Sequence, residues 1–326
     1  MSTRSIAVAN QKGGVGKTTT AVSLAACLAE RGKSTLLVDI DPQANATSAL
    51  GLEKLEGGSI YQALLGNASL ADSIRPSGIE HLDIIPSEVD LAVAEVDVAR
   101  AENYLQRLQF ALTPIAEGTA ATGKVMPLGT TATGMVAPPV PGLYDFIIVD
   151  CPPSLGILTM NALAAVDSVL VPMQAEYFAL EGLAVITRVL QQIRDSGANP
   201  SLELEGIVLT MYDARTNLAQ QVAAEVRKHF PHKVYKTVIP RTVRLAEAPS
   251  FGKPITLYDP HSYAANCYRS LTEELLGVTP VSATEPASTP VAIASTSTAS
   301  APAAETASSA EGSATPTEAP PATAPV

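Results

Sequence analysis

No stretch of this sequence offers the ~18 consecutive apolar residues that a bilayer-spanning helix needs, so no membrane span is expected. The start, Met1-Ser2-Thr3-Arg4, runs straight into a strand-like segment without the pattern of an export signal. Cysteine is scarce: Cys27, Cys151 and Cys267 stand far apart, with no C-x-x-C pair. That spacing excludes a disulfide framework, a zinc site and an iron–sulfur ligand set, and a reducing cytoplasm is the expected compartment. Charged residues make up 16% of the chain against 46% hydrophobic. A chain disordered throughout is thereby excluded, and 326 residues suffice to bury a large core.

Positive charge is also in short supply, with 21 Lys and Arg against 32 Asp and Glu, a net charge of −11. Taken whole, that balance argues against a nucleic-acid binder, but the average hides a gradient. Residues 1–205 hold 12 basic and 22 acidic side chains, residues 206–270 nine basic and four acidic, and residues 271–326 six glutamates and no basic residue. A polyanion meets the local field rather than the total, so the segment 206–270 is the candidate surface for one.

What is present alternates between strand and helix patterns. Ser5–Asn10, Ser34–Ile40, Leu82–Ile85, Asp145–Val149, Ser168–Met173 and Leu204–Thr210 are short apolar runs of the buried-strand kind. Helices are expected over Thr18–Arg31, Leu91–Leu112, Leu180–Ser196, Asn217–Phe230 and Ser262–Leu276. The order implies an α/β fold, a doubly wound and mostly parallel sheet covered on both faces. Pro114–Pro141, rich in Gly, Pro, Thr and Ala, lacks any period and is expected to be a flexible insertion in one domain spanning 1–278. Residues 279–326, an Ala/Pro/Ser/Thr tail, have too little apolar bulk for a core and are expected to be disordered.

The strongest motif is Gln11-Lys12-Gly13-Gly14-Val15-Gly16-Lys17-Thr18, set between the first strand and the first helix. Glycines let backbone N–H groups turn toward phosphates, and the helix N-terminus adds its positive end. Lys17 is placed to reach β/γ oxygens and the Thr18 hydroxyl to ligate Mg²⁺, with Thr19 beside it, so the loop calls for Mg·ATP, a P-loop nucleoside triphosphatase. The first glycine of the usual pattern is replaced by Gln11, and a second lysine, Lys12, follows on the phosphate side. Downstream, V-D-I-D-P-Q carries Asp39 and Asp41 at the end of the second strand. D-C-P-P-S opens with Asp150 at the end of another, where carboxylates face the ligand crevice. Asp150 reads as a Mg²⁺ holder of the Walker B type.

The K-G-G-V-G-K-T loop with these two carboxylate segments resembles the deviant Walker A ATPases of the ParA/MinD class. Thr210–Leu218, Val234–Arg241 and Val243–Pro254 extend the likeness to short chromosomal ParA (Soj-type) partition ATPases, over about residues 4–276 apart from the insertion. The resemblance implies that Lys12 crosses to the partner subunit's nucleotide, that Asp41 orients the attacking water and that Asp39 supports the metal environment. It also implies an ATP-dependent homodimer that binds double-stranded DNA without sequence preference and is released when a ParB-type centromere-binding protein stimulates hydrolysis, which would place the protein on the nucleoid. Arg215 and Arg244 match family DNA-binding positions; Lys228, Lys236 and Arg241 are helper candidates, and Met211 and Pro240 are candidates for the purine. A MinD-like membrane-cycling ATPase needs a basic amphipathic C-terminal helix, which the acidic tail does not supply. A non-hydrolysing ATP-gated scaffold shares the binding residues, but Lys12, Asp41 and Asp150 are all present, so nothing chemical has been lost. ATP turnover with and without DNA and a ParB-type partner separates the two readings.

Overall fold

The computed structural model describes residues 3–53, 59–88, 90–119 and 144–278. Among them, β1 (Arg4–Val8), β2 (Thr35–Asp39), β3 (Arg75–Ile79), β4 (Leu82–Ile85), β5 (Phe146–Asp150), β6 (Ser168–Gln174), β7 (Glu203–Tyr212) and β8 (Val234–Pro240) form one sheet, in the order β3-β4-β2-β5-β1-β6-β7-β8. All neighbours are parallel except the β3–β4 pair at one edge. Side chains alternate between two cores because a strand has period two. Ile6, Val8, Leu37, Ile148 and Leu170 pack under α1 (Lys17–Glu30) on one face. Ala7, Leu36, Val38, Ile147, Val149 and Val169 face the other core, which holds the buried residues of the helices on that side. Both faces are covered, as uninterrupted apolar strands require.

The remaining helices are α2 (Asn45–Ala49), α3 (Ser59–Leu65), α4 (Leu91–Arg100), α5 (Arg107–Ala116), α6 (Ile157–Ala165), α7 (Ala179–Asp195), α8 (Asn217–His229), α9 (Val243–Glu247), α10 (Ile255–Tyr258) and α11 (Tyr263–Leu275). Two expectations are corrected here. The single helix expected over Leu91–Leu112 is two, α4 and α5, separated by a turn in which Asn103 takes φ +53°. Asn161 fixes that break, its Nδ2 donating to the Tyr104 carbonyl at 2.8 Å and its Oδ1 accepting from the Leu108 N–H at 3.2 Å. Pro114, taken as the start of the insertion, instead lies inside α5, whose buried Leu112 and Ile115 carry the helix one turn further. The rest of the insertion and the tail, 120–143 and 279–326, fall outside the described residues.

One core carboxylate costs stability. Asp83 on β4 is buried and accepts a 2.8 Å hydrogen bond from the Tyr144 hydroxyl. Burial pushes its pKa up from 3.8 to about 6, opposed by the Tyr144 bond. The folded state therefore holds more protons than the unfolded chain between those values, and stability falls as pH rises through that window. Asp83→Asn keeps an acceptor for Tyr144 and removes the buried charge. It is expected to stabilise the protein by ~2 kcal/mol at pH 8 and about half that at pH 5, measured by urea unfolding.

Candidate functional site

The loop between β1 and α1 is pinned by the carboxyl ends of three strands. Asn10 is buried, its Nδ2 donating to the Pro172 carbonyl at 2.8 Å and its Oδ1 accepting from the Lys12 N–H at 3.0 Å. Thr210 at the end of β7 donates its hydroxyl to the Val15 carbonyl at 2.8 Å, and Gln174 at the end of β6 reaches the Gly14 carbonyl at 3.4 Å. Gly14 and Gly16 take φ +73° and +83°, a region that a β-carbon penalises, so these two positions need glycine. The Lys17 ammonium is buried and donates to the Lys12 carbonyl at 3.0 Å, closing the loop on itself. Burial lowers the Lys17 pKa, and the nearby Asp150, Cys151 and Asp41 oppose that shift. Asn10, Gln174 and Thr210 were not anticipated from sequence; their only signal is their place at the carboxyl ends of parallel strands.

Asp39 and Asp150 are paired residues on the neighbouring strands β2 and β5, and Asp150 pairs in turn with Val8 of β1. Both carboxylates are fully buried, but their partners differ. Asp39 Oδ2 accepts from the Thr47 N–H and the Thr47 hydroxyl, each at 2.8 Å, and its Oδ1 accepts from the Asp41 N–H at 3.1 Å. Asp39 thus brackets α2 to the sheet, and burial raises its pKa to about 6. Asp150 has neither oxygen hydrogen-bonded to a described residue. The Thr18 hydroxyl lies near enough to ease its charge without completing a bond, and burial drives its pKa well up, with Asp39 adding to the shift. Buried orphan oxygens are rare and call for a partner. Mg²⁺ characteristically takes one or two carboxylates plus phosphate oxygens and water. The pair Thr18–Asp150 fits it, although no group of three His, Cys, Asp or Glu among the described residues forms a metal cage.

Asp41 follows the strand, is buried, and accepts from the Gln43 N–H at 2.9 Å; its carbonyl accepts from the Ser87 hydroxyl at 2.6 Å. Lys12 points the other way from Lys17. Its side chain is 49% exposed and its ammonium pairs with Glu176 at 2.5 Å. Around Gly13 a β-carbon would meet only Pro153, at 4.0 Å, so the protomer itself leaves that side of the loop open.

Met211 and Pro240 sit on adjacent strand ends, where Tyr212 pairs with Pro240. Met211 holds φ +49°, an uncommon conformation for a non-glycine residue, and its sulfur takes the Gln174 amide at 2.6 Å. A cavity of about 280 Å³ opens elsewhere beside the loop, lined by Thr18, Thr19 and Val22 of α1, Asn45 of α2, Leu245 of α9 and Lys253. Neither Met211 nor Pro240 lines it. Next in sequence to its lining residue Lys253 the chain crosses itself: a β-carbon on Gly252, at φ +61°, would come within 2.5 Å of Gly51 Cα. The Asp39–Thr47–α2 bracket is thereby in van der Waals contact with the segment that follows Arg244.

The basic candidates divide into two groups. Arg215, Arg241 and Arg244 follow β7 and β8 at the carboxyl edge, the same edge as the loop. Arg215 is 89% exposed and forked onto Asp213, with Nε to Oδ1 at 2.9 Å and an amino group to Oδ2 at 2.8 Å; that pairing lowers the Asp213 pKa to about 2. Arg244 is exposed over the Tyr258 ring, within 3.3 Å of Glu247 and 3.6 Å of Asp259. Lys228 lies in the last turn of α8, which has crossed back to the amino edge, and Lys236 sits early in β8. The five are neighbours in sequence and not one patch in space.

Known proteins match this chain over most of its length. A family model described as an AAA domain matches residues 3–118 and 136–204, and the gap between them falls inside the expected insertion. The sporulation initiation inhibitor protein Soj of Bacillus subtilis is 49% identical over 271 residues, 83% of this chain and 97% of that protein. The chromosome partitioning protein ParA of Myxococcus xanthus is 46% identical over 274 residues, 84% of this chain and 88% of that protein. Among solved structures, a cobyrinic acid a,c-diamide synthase from Mycobacterium smegmatis with bound ADP and magnesium superposes with a TM-score of 0.67 at 32% identity, over 84% of this chain and 94% of that one. Among the described residues no helix is long and apolar enough to cross a membrane.

Proposed function

The chain belongs to the Soj/ParA family of chromosome-partitioning ATPases, and on that premise we propose that it hydrolyses Mg·ATP as a two-subunit switch on DNA. The buried, unpartnered Asp150 carboxylate beside Thr18 at the mouth of the phosphate loop carries this reading. Loop N–H groups and the N-terminus of α1 bind the triphosphate, and Lys17 leaves the Lys12 carbonyl for its β/γ oxygens. Thr18 and Asp150 would hold Mg²⁺, with Asp39 supporting them from the next strand, and the ion would supply charge neutralisation at the phosphates. Asp41 orients the attacking water. Lys12, exposed and on an open side of the loop, acts on the triphosphate of a second subunit. Positioning and charge are sufficient for phosphoryl transfer, so this set is complete.

DNA binding belongs to the ATP-bound dimer and is read by charge alone. Arg215, Arg241 and Arg244 share the loop's edge, so pairing two chains doubles one patch and makes affinity nucleotide-dependent through avidity. Lys228 and Lys236, toward the amino edge, contribute less. A ParB-type partner stimulates hydrolysis and releases the dimer, and the protein works on the nucleoid. Co-sedimentation with DNA of arbitrary sequence, with and without ATP at rising salt, tests this. Binding is expected only with ATP, falling steeply with salt, and Arg244→Ala is expected to weaken it about tenfold or more on every sequence alike. Equal binding without nucleotide would refute the gating. The same assay with ATP turnover recorded separates a hydrolysing switch from a non-hydrolysing scaffold.

A further inference from the structure

β2 ends at Asp39, and the Ile40 N–H still reaches the Asp150 carbonyl at 3.1 Å. From Asp41 onward a closed ring of hydrogen bonds takes over from the sheet. The Asp41 N–H donates to Asp39 Oδ1 at 3.1 Å, and Asp39 Oδ2 accepts from the Thr47 hydroxyl at 2.8 Å. Thr47 Oγ1 accepts from the Ser87 N–H at 3.0 Å, and the Ser87 hydroxyl returns to the Asp41 carbonyl at 2.6 Å. All four residues are buried, and a surrounding of low dielectric strengthens such chains of bonds. Asp39, Asp41 and Thr47 belong to one short segment, whereas Ser87 comes from the loop after β4. That loop is held from its far side. The neighbouring Glu88, also buried, accepts from the Tyr61 N–H of α3 at 2.7 Å.

We propose that Ser87 is a positioning residue for hydrolysis: its hydroxyl fixes the turn that carries the Asp41 carboxylate, and so fixes where that carboxylate holds water. The inference rests on the water-orienting role of Asp41 given above and adds what sets its position. Satisfying buried groups does not by itself account for the bond. The Asp41 carbonyl already accepts from the Ala44 N–H at 2.8 Å, and Thr47 is met by the backbone of residue 87, so Ser87→Ala leaves both neighbours paired. The Asp41 side chain is tied to its own turn, because its Oδ1 accepts from the Gln43 N–H at 2.9 Å. Moving the turn therefore moves the carboxylate. A misplacement of ~1 Å costs roughly 10²-fold in rate where the chemistry depends on orientation. The ring also passes through Asp39, so the two carboxylates are held as one unit.

The test uses the full chain with Mg·ATP and double-stranded DNA, in single turnover followed long enough to record residual rates. Ser87→Ala is expected to slow hydrolysis about 10- to 100-fold. Its dissociation constant for a fluorescent ATP analogue should stay within about twofold of the parent's, because no phosphate-loop contact is lost. Thr272→Val is the control. It removes another fully buried hydroxyl, bonded to the Tyr268 carbonyl at 2.8 Å within α11, and should hydrolyse as the parent does. Ser87→Ala/Asp41→Asn should be no slower than Asp41→Asn alone, since a residue that acts through Asp41 has nothing left to act on. Parental hydrolysis by Ser87→Ala overturns the proposal, as does a further loss of about tenfold in the double variant. A loss matched by weaker nucleotide binding, or shared by Thr272→Val, marks the ring as structural and overturns it too. Parental hydrolysis by Asp41→Asn sinks the water-orienting reading itself, and this inference with it.

Discussion

Mixing equal amounts of Lys12→Ala and Asp41→Ala subunits is expected to restore ATP turnover to about a quarter of the parental level, although each variant alone is inactive. Random pairing makes about half of the dimers mixed, and each mixed dimer has one intact site out of two. That site lies in the subunit that kept Asp41 and receives Lys12 from the other. If Lys12 served its own chain's nucleotide, one site would lack the lysine and the other the carboxylate, and no mixture would recover.

The geometry favours the first outcome because the two lysines of one loop are already divided. Lys17 is buried against the loop's own carbonyl, while Lys12 leans outward onto Glu176. An exposed ion pair of that kind contributes ~1 kcal/mol at most, so releasing Lys12 is easy. A cation placed on the transferring phosphoryl group is worth ~10³–10⁵ in rate, which sets the expected loss in the Lys12→Ala homodimer. ATP binding by the separate variants should stay near parental, read by fluorescent nucleotide titration. The Asp41→Asn variant, which keeps an acceptor for the Gln43 N–H, guards against local unfolding as the cause of lost turnover.

The parts of this molecule legible in its sequence are those whose signal is local. β1, the loop and α1 announce themselves through an apolar run, glycines and a helix start within thirty residues, and β2 and β5 through apolar runs that end in aspartate. The register that puts Asp39 opposite Asp150 is not local, and neither are the bonds from Asn10, Gln174 and Thr210 that hold the loop. Pro114 misleads because a proline in the last turn of a helix forfeits one hydrogen bond while the buried Leu112 and Ile115 keep the turn in place. Edge strand β3, with exposed Arg75, Pro76 and Gly78, has none of the apolar content that identified the buried strands. Linear charge misleads in another way. The basic run from Arg215 to Arg244 spans a helix that returns from the carboxyl end of β7 to the amino end of the neighbouring parallel strand β8, so residues close in sequence finish at opposite strand ends. Only the three arginines that follow strand ends share the nucleotide's side.

Asp150→Asn is expected to invert the usual relation between a site and stability. The carboxylate is fully buried with no hydrogen-bond partner, and burial together with Asp39 on the neighbouring strand drives its pKa up. An acid raised above its unfolded value costs stability increasingly as pH rises, so the penalty is largest in alkaline buffer. Replacing it by a neutral amide, opposite an Asp39 that can accept from it, should raise the melting point of the nucleotide-free protein at pH 8 by a few degrees, about 1–3 kcal/mol. Added Mg·ATPγS should then stabilise the parent far more than the variant. A ligand at ~100 times its dissociation constant adds ~2.7 kcal/mol to the parent, while the variant should gain the same small amount with or without Mg²⁺. Turnover should fall about 100-fold or more, because the charge that Mg²⁺ neutralises is then left on the phosphates. A variant that melts lower than the parent without ligand would show that Asp150 is a structural residue with a partner, and a variant whose stabilisation still depends on Mg²⁺ would move the metal to Asp39 or Asp41. The expected pairing of greater stability with lost metal response is the mark of a carboxylate kept ionisable in the dark of the sheet for a cation that arrives with the substrate.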